Sequence, residues 1–135
     1  MTTNSLDTTA TAWAPRLLSV FRIVVGLLFF AHGLVKLFGF PAGAQPGQVP
    51  VATIFGLAAL LEAIGGAAII LGLFTRPVAF ILSGEMAVAY FMAHAPKGFF
   101  PVLNGGELAI IYTFAFLYLA AAGAGPWSLD AKRGA

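Results

Sequence analysis

Four long apolar runs, parted by short stretches rich in proline and glycine, constrain this chain more than anything else in its sequence. The first, Leu17 to Phe38, is 22 residues long. As a helix it would measure about 33 Å, against a hydrocarbon core of about 30 Å. Further runs follow at about residues 51–74, 77–94 and 106–123. Backbone polar groups in lipid must be satisfied within the segment, so runs of this length are read as helices. The fold class that follows is all-α, an integral membrane bundle of four transmembrane helices.

Composition agrees. Of the 135 residues, 60% are hydrophobic and 9% charged, far from the roughly one quarter charged residues of soluble domains. A net charge of +2 without a basic run speaks against nucleic acid as a partner. The lack of cysteine excludes disulfides, Cys-x-x-Cys redox pairs and thiolate metal sites. Any redox role would need a borrowed cofactor, since none is intrinsic.

Residues 1–16 read as a flexible cytoplasmic tail, 17–123 as the membrane domain and 124–135 as a short cytoplasmic tail. Ala42-Gly43-Ala44 has the form of a cleavage site, but the preceding run is longer than a signal-peptide core and reads as a retained helix. Arg16, Arg22, Arg76, Lys132 and Arg133 fall on one side, against Lys36 and Lys97 on the other, which puts both termini in the cytoplasm. Trp13 and Trp127 flank the outermost spans as interfacial anchors. Thr75 is placed to cap the third helix, and the stripes Ala59, Ala63, Ala67 and Ala79, Ser83, Ala87 to pack the second helix on the third.

Seven ionisable side chains lie inside or at the mouths of these runs: Arg22, His32, Lys36, Glu62, Glu85, His94 and Glu107. Each is costly at bilayer depth, about 2.5 to 3.5 kcal/mol on insertion scales for a charge at the centre, so such groups turn towards one another or towards a site. At 100° per residue, Arg22, Gly26, Gly33 and Lys36 share one face of the first helix, and His32 lies at its edge. The glycines admit a close neighbour or a bound group. Depth counted from the run ends puts Arg22 within reach of Glu62 and Glu85, which makes the arginine their expected partner and leaves one carboxylate to hold a proton or find another donor.

The same count gathers His32, Lys36, His94 and Glu107 towards the outer face. Plainer roles exist for several: Arg22 and Lys36 snorkelling to phosphates, Glu107 closing a capping box with Asn104, His94 ending a helix. Glu62 and Glu85 have no snorkelling route, and either lock the bundle or serve as a proton or ligand site. His32 and His94, at similar height, are also candidate axial ligands for a haem.

The ordered set Arg22, Gly26, His32-Gly33-x-x-Lys36, Glu62, Gly65-Gly66, Gly72, Thr75-Arg76, Glu107 and Gly123-x-Gly125-x-x-Ser128-Leu129-Asp130 resembles the DoxX family of small four-helix membrane proteins. The resemblance implies a multi-pass protein of the bacterial cytoplasmic membrane, named by likeness to a subunit of a thiosulfate:quinone oxidoreductase. Distant relatives use cysteines for quinone-coupled thiol oxidation, a mechanism this cysteine-free chain cannot inherit. Two functions compete on these grounds. One is a membrane subunit associated with a quinone-linked redox complex, with quinone near His32, Gly33, Lys36 and Glu62. The other is a non-enzymatic anchor or assembly protein whose polar residues only stabilise the bundle. No self-sufficient catalytic constellation is present. The bilayer, redox-enzyme subunits and a second copy of the chain are the partners to consider, and a transporter would need that second copy to form a route.

Overall fold

A computed structural model describes residues 4–134, which are helical with no strand among them. Helix α1 runs Ser5–Phe38 and α2 Ile54–Leu71. Helix α3 covers Thr75–Lys97, the one-turn α4 Pro101–Asn104, α5 Glu107–Ala122 and the one-turn α6 Leu129–Lys132. Helices α1, α2 and α3 are long and apolar enough to cross a membrane, while α5 is equally apolar but has 16 residues, about 24 Å.

Helix α1 corrects the expected tail. Asn4 accepts from the Asp7 N–H and starts the helix at Ser5, so residues 5–16 are helical; Met1 to Thr3 lie outside the described residues. Gly39 in the left-handed conformation ends α1, its N–H bonded to the Val35 carbonyl.

The helices pack as two antiparallel pairs, α1 with α2 and α3 with α5. Glycines set the first pair: a Cβ on Gly33 would lie 2.6 Å from the Ala63 nitrogen, one on Gly66 2.9 Å from the Phe30 Cα, and one on Gly26 3.0 Å from the Ile70 nitrogen. In the second pair the Ser83 hydroxyl donates to the Thr113 carbonyl at 2.7 Å. The expected packing of α2 on α3 through alanine stripes gives way to these contacts: Ala63 meets Gly33 of α1, and Ser83 bonds α5. At Gly33 and Gly66 the backbones approach so closely that even an alanine Cβ would collide with the facing helix.

Between the pairs lies a core of Phe29, Ile69, Leu82, Tyr112, Phe116 and Leu119. Phe29 meets Tyr112 and Phe116 edge to face at 5.2 and 4.8 Å. The outward faces, with Leu28, Ile64, Phe80, Ile81, Phe91, Ile111 and Phe114, are exposed, as a lipid-facing surface requires.

Candidate functional site

Two polar groups occupy different levels of the bundle. The first surrounds Arg22, which is 1% exposed. Its Nε donates to the Ile69 carbonyl at 2.9 Å, one Nη to Trp127 at 2.7 Å and to Ile70 at 3.4 Å, and the other Nη to Ala124. Arg22 therefore binds the carbonyls that end α2, where four acceptors lack helical donors and the helix dipole favours a cation. It pairs with neither Glu62 nor Glu85. The register pairing Gly33 with Ala63 and Gly26 with Ile70 sets Glu62 opposite Leu34, twelve residues from Arg22; that is about 18 Å along the helix, beyond an arginine's reach.

The segment after α5 folds back onto this end. Asp130 accepts from the backbone N–H groups of Phe74 and Thr75, both at 2.9 Å, and so caps α3 in place of Thr75. Phe74 has φ 49°, a conformation uncommon outside glycine, and the carboxylate holds it there. Burial alone would raise the Asp130 carboxyl. The Thr75 and Phe74 N–H groups and the Arg133 charge outweigh it and hold the group below the ordinary carboxylate range. The Asp130 N–H returns to the Gly72 carbonyl at 2.9 Å, and the Trp127 N–H to the Ser19 hydroxyl at 3.1 Å. Residues 124–135, expected as a plain tail, thus include the clasp that joins α1, α2 and α3.

The second group lies deeper, between the helix pairs. Lys36 Nζ meets Glu62 Oε1 at 2.6 Å, with side-chain exposures of 18% and 2%. Glu62 sits on a π-helical turn, Leu61–Gly65, inside α2, the kind of irregularity often found at functional sites. Glu85 of α3 lies at the level of Glu62, because Leu82 packs on Gly65, three residues away from each. Three carboxylate oxygens, Glu62 Oε2 and both of Glu85, are buried without a hydrogen-bond donor. Tyr112 of α5 packs edge to face on Phe29 of α1 at 5.2 Å, and His32 stands edge-on to the Tyr112 ring at 6.0 Å. The polar core of this level is Lys36, Glu62 and Glu85, with His32 and Tyr112 beside it. Gly33 serves the α1–α2 contact next to it.

The expected outer cluster of His32, Lys36, His94 and Glu107 is dispersed. Lys36 leans inward to Glu62, and Glu107 is exposed in the first turn of α5. No capping box forms there: Gly106 occupies the cap position, and Asn104 Oδ1 accepts from the Gly106 N–H at 2.8 Å. The Asn104 amide also donates to the Tyr90 hydroxyl and the Gly98 carbonyl, at 3.1 and 3.0 Å. His94 stacks on Tyr90, with Nδ1 3.2 Å from the Asn104 carbonyl. The two histidines, considered as haem ligands, thus lean on different partners. No group of three or more His, Asp or Glu placed to hold a metal occurs among the described residues.

Sequence reasoning missed Tyr112, and it named Asp130 and Asn104 without their targets. A tyrosine within an apolar run was a signal available for Tyr112. Asp130 stood in the Gly123-to-Asp130 motif, but nothing local says that its target lies at Phe74 and Thr75.

The DoxX family model matches residues 17–95, which include Arg22, His32, Lys36, Glu62, Glu85 and His94. An uncharacterized protein of Haemophilus influenzae is 47% identical over 124 residues, covering 89% of this chain and 92% of its own. An uncharacterized membrane protein of Mycobacterium tuberculosis is 28% identical over 127 residues, covering 82% of this chain and 77% of its own. No solved structure matches the chain. With a family match over more than half its length, a relative of nearly the same extent, and apolar helices built to cross a bilayer, the chain is a membrane protein belonging to the DoxX family.

Proposed function

We propose that this protein is a four-span subunit of the bacterial cytoplasmic membrane, with both termini cytoplasmic, associated with a quinone-linked redox complex. The observation that carries the reading is the set of unpartnered carboxylate oxygens of Glu62 and Glu85 beside Lys36, at the junction of the two helix pairs. Buried polar atoms without partners are uncommon in stable folds, and at membrane depth they mark sites by default.

The residues fit a quinone in kind. Such a ligand wants an apolar setting with a few hydrogen-bond donors at its carbonyls. Phe29, Leu82 and Phe116 supply the setting; Lys36, bonded to Glu62, is the donor at the carboxyls, and Tyr112 with His32 edge-on to it offers two more. A bound quinone would supply a two-electron, two-proton couple. The chain's share would be to orient the carbonyl and to hold a proton near it, with the electrons coming from a partner subunit.

Mild extraction from the native membrane followed by native mass spectrometry tests this. The expected result is a retained quinone that His32→Ala and Glu85→Ala release at normal protein abundance. Failure of the extracted protein either to retain quinone or to bind added quinone overturns the reading.

A second reading, a membrane anchor or assembly protein, is favoured by the Arg22 and Asp130 contacts, which bind only the chain's own backbone. On that reading, substitutions at Lys36, Glu62 and Glu85 lower function only as far as they lower abundance.

A further inference from the structure

We propose that Glu62 and Glu85 form a one-proton binding site, in which a single proton shared between the two carboxyls joins the α1–α2 pair to the α3–α5 pair. The inference rests on the site proposed above and gives it a ligand, the proton.

The hydrogen-bond inventory leads there. Glu62 Oε1 takes the Lys36 ammonium at 2.6 Å. Glu62 Oε2 and both oxygens of Glu85 are buried with no donor, and the packing of Leu82 on Gly65 sets Glu85 and Glu62, three residues away on each helix, at one level of α3 and α2. An ionised carboxylate only accepts, so two ionised carboxylates cannot satisfy one another. A carboxylic acid carries an O–H and can. One proton on Glu85 makes its O–H a donor to Glu62 Oε2, which satisfies an atom on each side of the junction.

Charge leads to the same count. The charged and titratable groups that α1 and α5 bring to this level are Lys36, bonded to Glu62, and Tyr112, with His32 edge-on to the Tyr112 ring. One ammonium and two carboxylates leave a net negative charge at membrane depth, and one bound proton cancels it. Arg22 cannot help, because its guanidinium is engaged with carbonyls at the end of α2. The equilibrium is carboxylate plus proton to carboxylic acid, and it requires no oxidant or reductant.

Few contacts join the two pairs at this level. Leu82 of α3 fills the space beside Gly65 of α2, and Phe29 of α1 packs on Tyr112 and Phe116 of α5. The shared proton adds a hydrogen bond across a junction otherwise held by apolar packing.

Infrared spectroscopy of the full chain in lipid, without added quinone, is the test. At neutral pH the expected spectrum contains a carbonyl band of one protonated carboxyl, which shifts in deuterium oxide and falls as the pH is raised. Glu85→Gln and Glu62→Gln should each abolish the band, because either amide donates to the remaining carboxylate, and Glu107→Gln should leave it. Glu85→Gln should also keep the melting temperature that Glu85→Ala lowers. No such band in the wild type, or a band that survives in Glu62→Gln as an acid belonging to Glu85 alone, overturns the inference. A quinone that fails to bind while the band behaves as described removes the redox reading and leaves the proton site standing.

Discussion

Arg22 and Glu62 are both almost wholly buried charges in apolar helices, yet their surroundings have opposite characters. Arg22 makes four hydrogen bonds to carbonyls at the end of α2 and in the returning C-terminal segment. Around it, the Thr75 hydroxyl is the one buried side-chain atom without a partner among the described residues. Glu62 has one partner, Lys36, while its second oxygen and both oxygens of Glu85 have none. A fold that satisfies its buried charge at one level and leaves carboxylate oxygens open at another has used the first for structure. The second is where a ligand or a proton completes the set.

The largest break in this contrast comes from removing Arg22. Arg22→Ala strips the donor from several buried carbonyls, at about 1–3 kcal/mol for each acceptor left bare. The expected result is loss of folded protein, read as loss of the monodisperse gel-filtration peak in detergent. Arg22→Lys, with a point charge in place of the planar fork, should recover only part of it. A normal peak for Arg22→Ala would remove the structural role assigned to this level.

Lys36 and Glu62 should behave differently. Lys36→Met leaves Glu62 buried without a cation, a loss of about 3–5 kcal/mol for breaking such a pair. The double variant Lys36→Met, Glu62→Leu removes both charges, and replacement of a buried pair by apolar groups is often neutral. A thermal double-mutant cycle in detergent should therefore show the double variant more stable than Lys36→Met alone. Additive losses would show that the two side chains act independently and that the ion pair contributes no coupling.

How far these levels could be read from residues alone follows from range. The helices are set by runs of apolar side chains, and their ends by glycine and proline, all local signals. The buried ionisable groups stand out in the same way, so Arg22, Lys36, Glu62 and Glu85 were all visible as inward-facing polar residues. Their partners were not. Pairing depends on the register of α1 on α2, which Gly33 and Ala63 fix by backbone contact. Counting depth from Leu17 put Arg22 about 8 Å inside the bundle, whereas the register of α1 on α2 sets it at the end of α2, beside Ile69 and Ile70. Asp130 was out of reach for a related reason: it caps a helix whose start lies 55 residues earlier.

Asp130 gives a smaller and pH-dependent test of the Arg22 end. Asp130→Asn keeps one acceptor oxygen and replaces the other with a donor, so that the Phe74 or Thr75 N–H loses its partner, at about 1 kcal/mol for a lost hydrogen bond. The folded carboxyl lies below its ordinary value, so its stabilisation is full above the unfolded value of about 3.9 and is lost as pH falls through the folded one. The melting temperatures of wild type and Asp130→Asn should differ at neutral pH and converge in acid. A constant gap would assign the effect to the loop's packing rather than to the charge.

The smallest effect belongs to Glu107, the one acidic candidate that neither level holds. It is exposed in the first turn of α5, beside a glycine cap that needs no side chain, and there a carboxylate adds only a screened interaction with the helix dipole. Glu107→Gln should leave the melting temperature near that of the wild type, with the difference shrinking as salt is added. Glu62→Gln makes the same chemical change where the ion pair with Lys36 is lost, and should cost more at every salt concentration. Equal responses would mean that depth in this bundle does not separate an acid held by solvent from one held by the protein, and the distinction between the two levels would lose its physical basis.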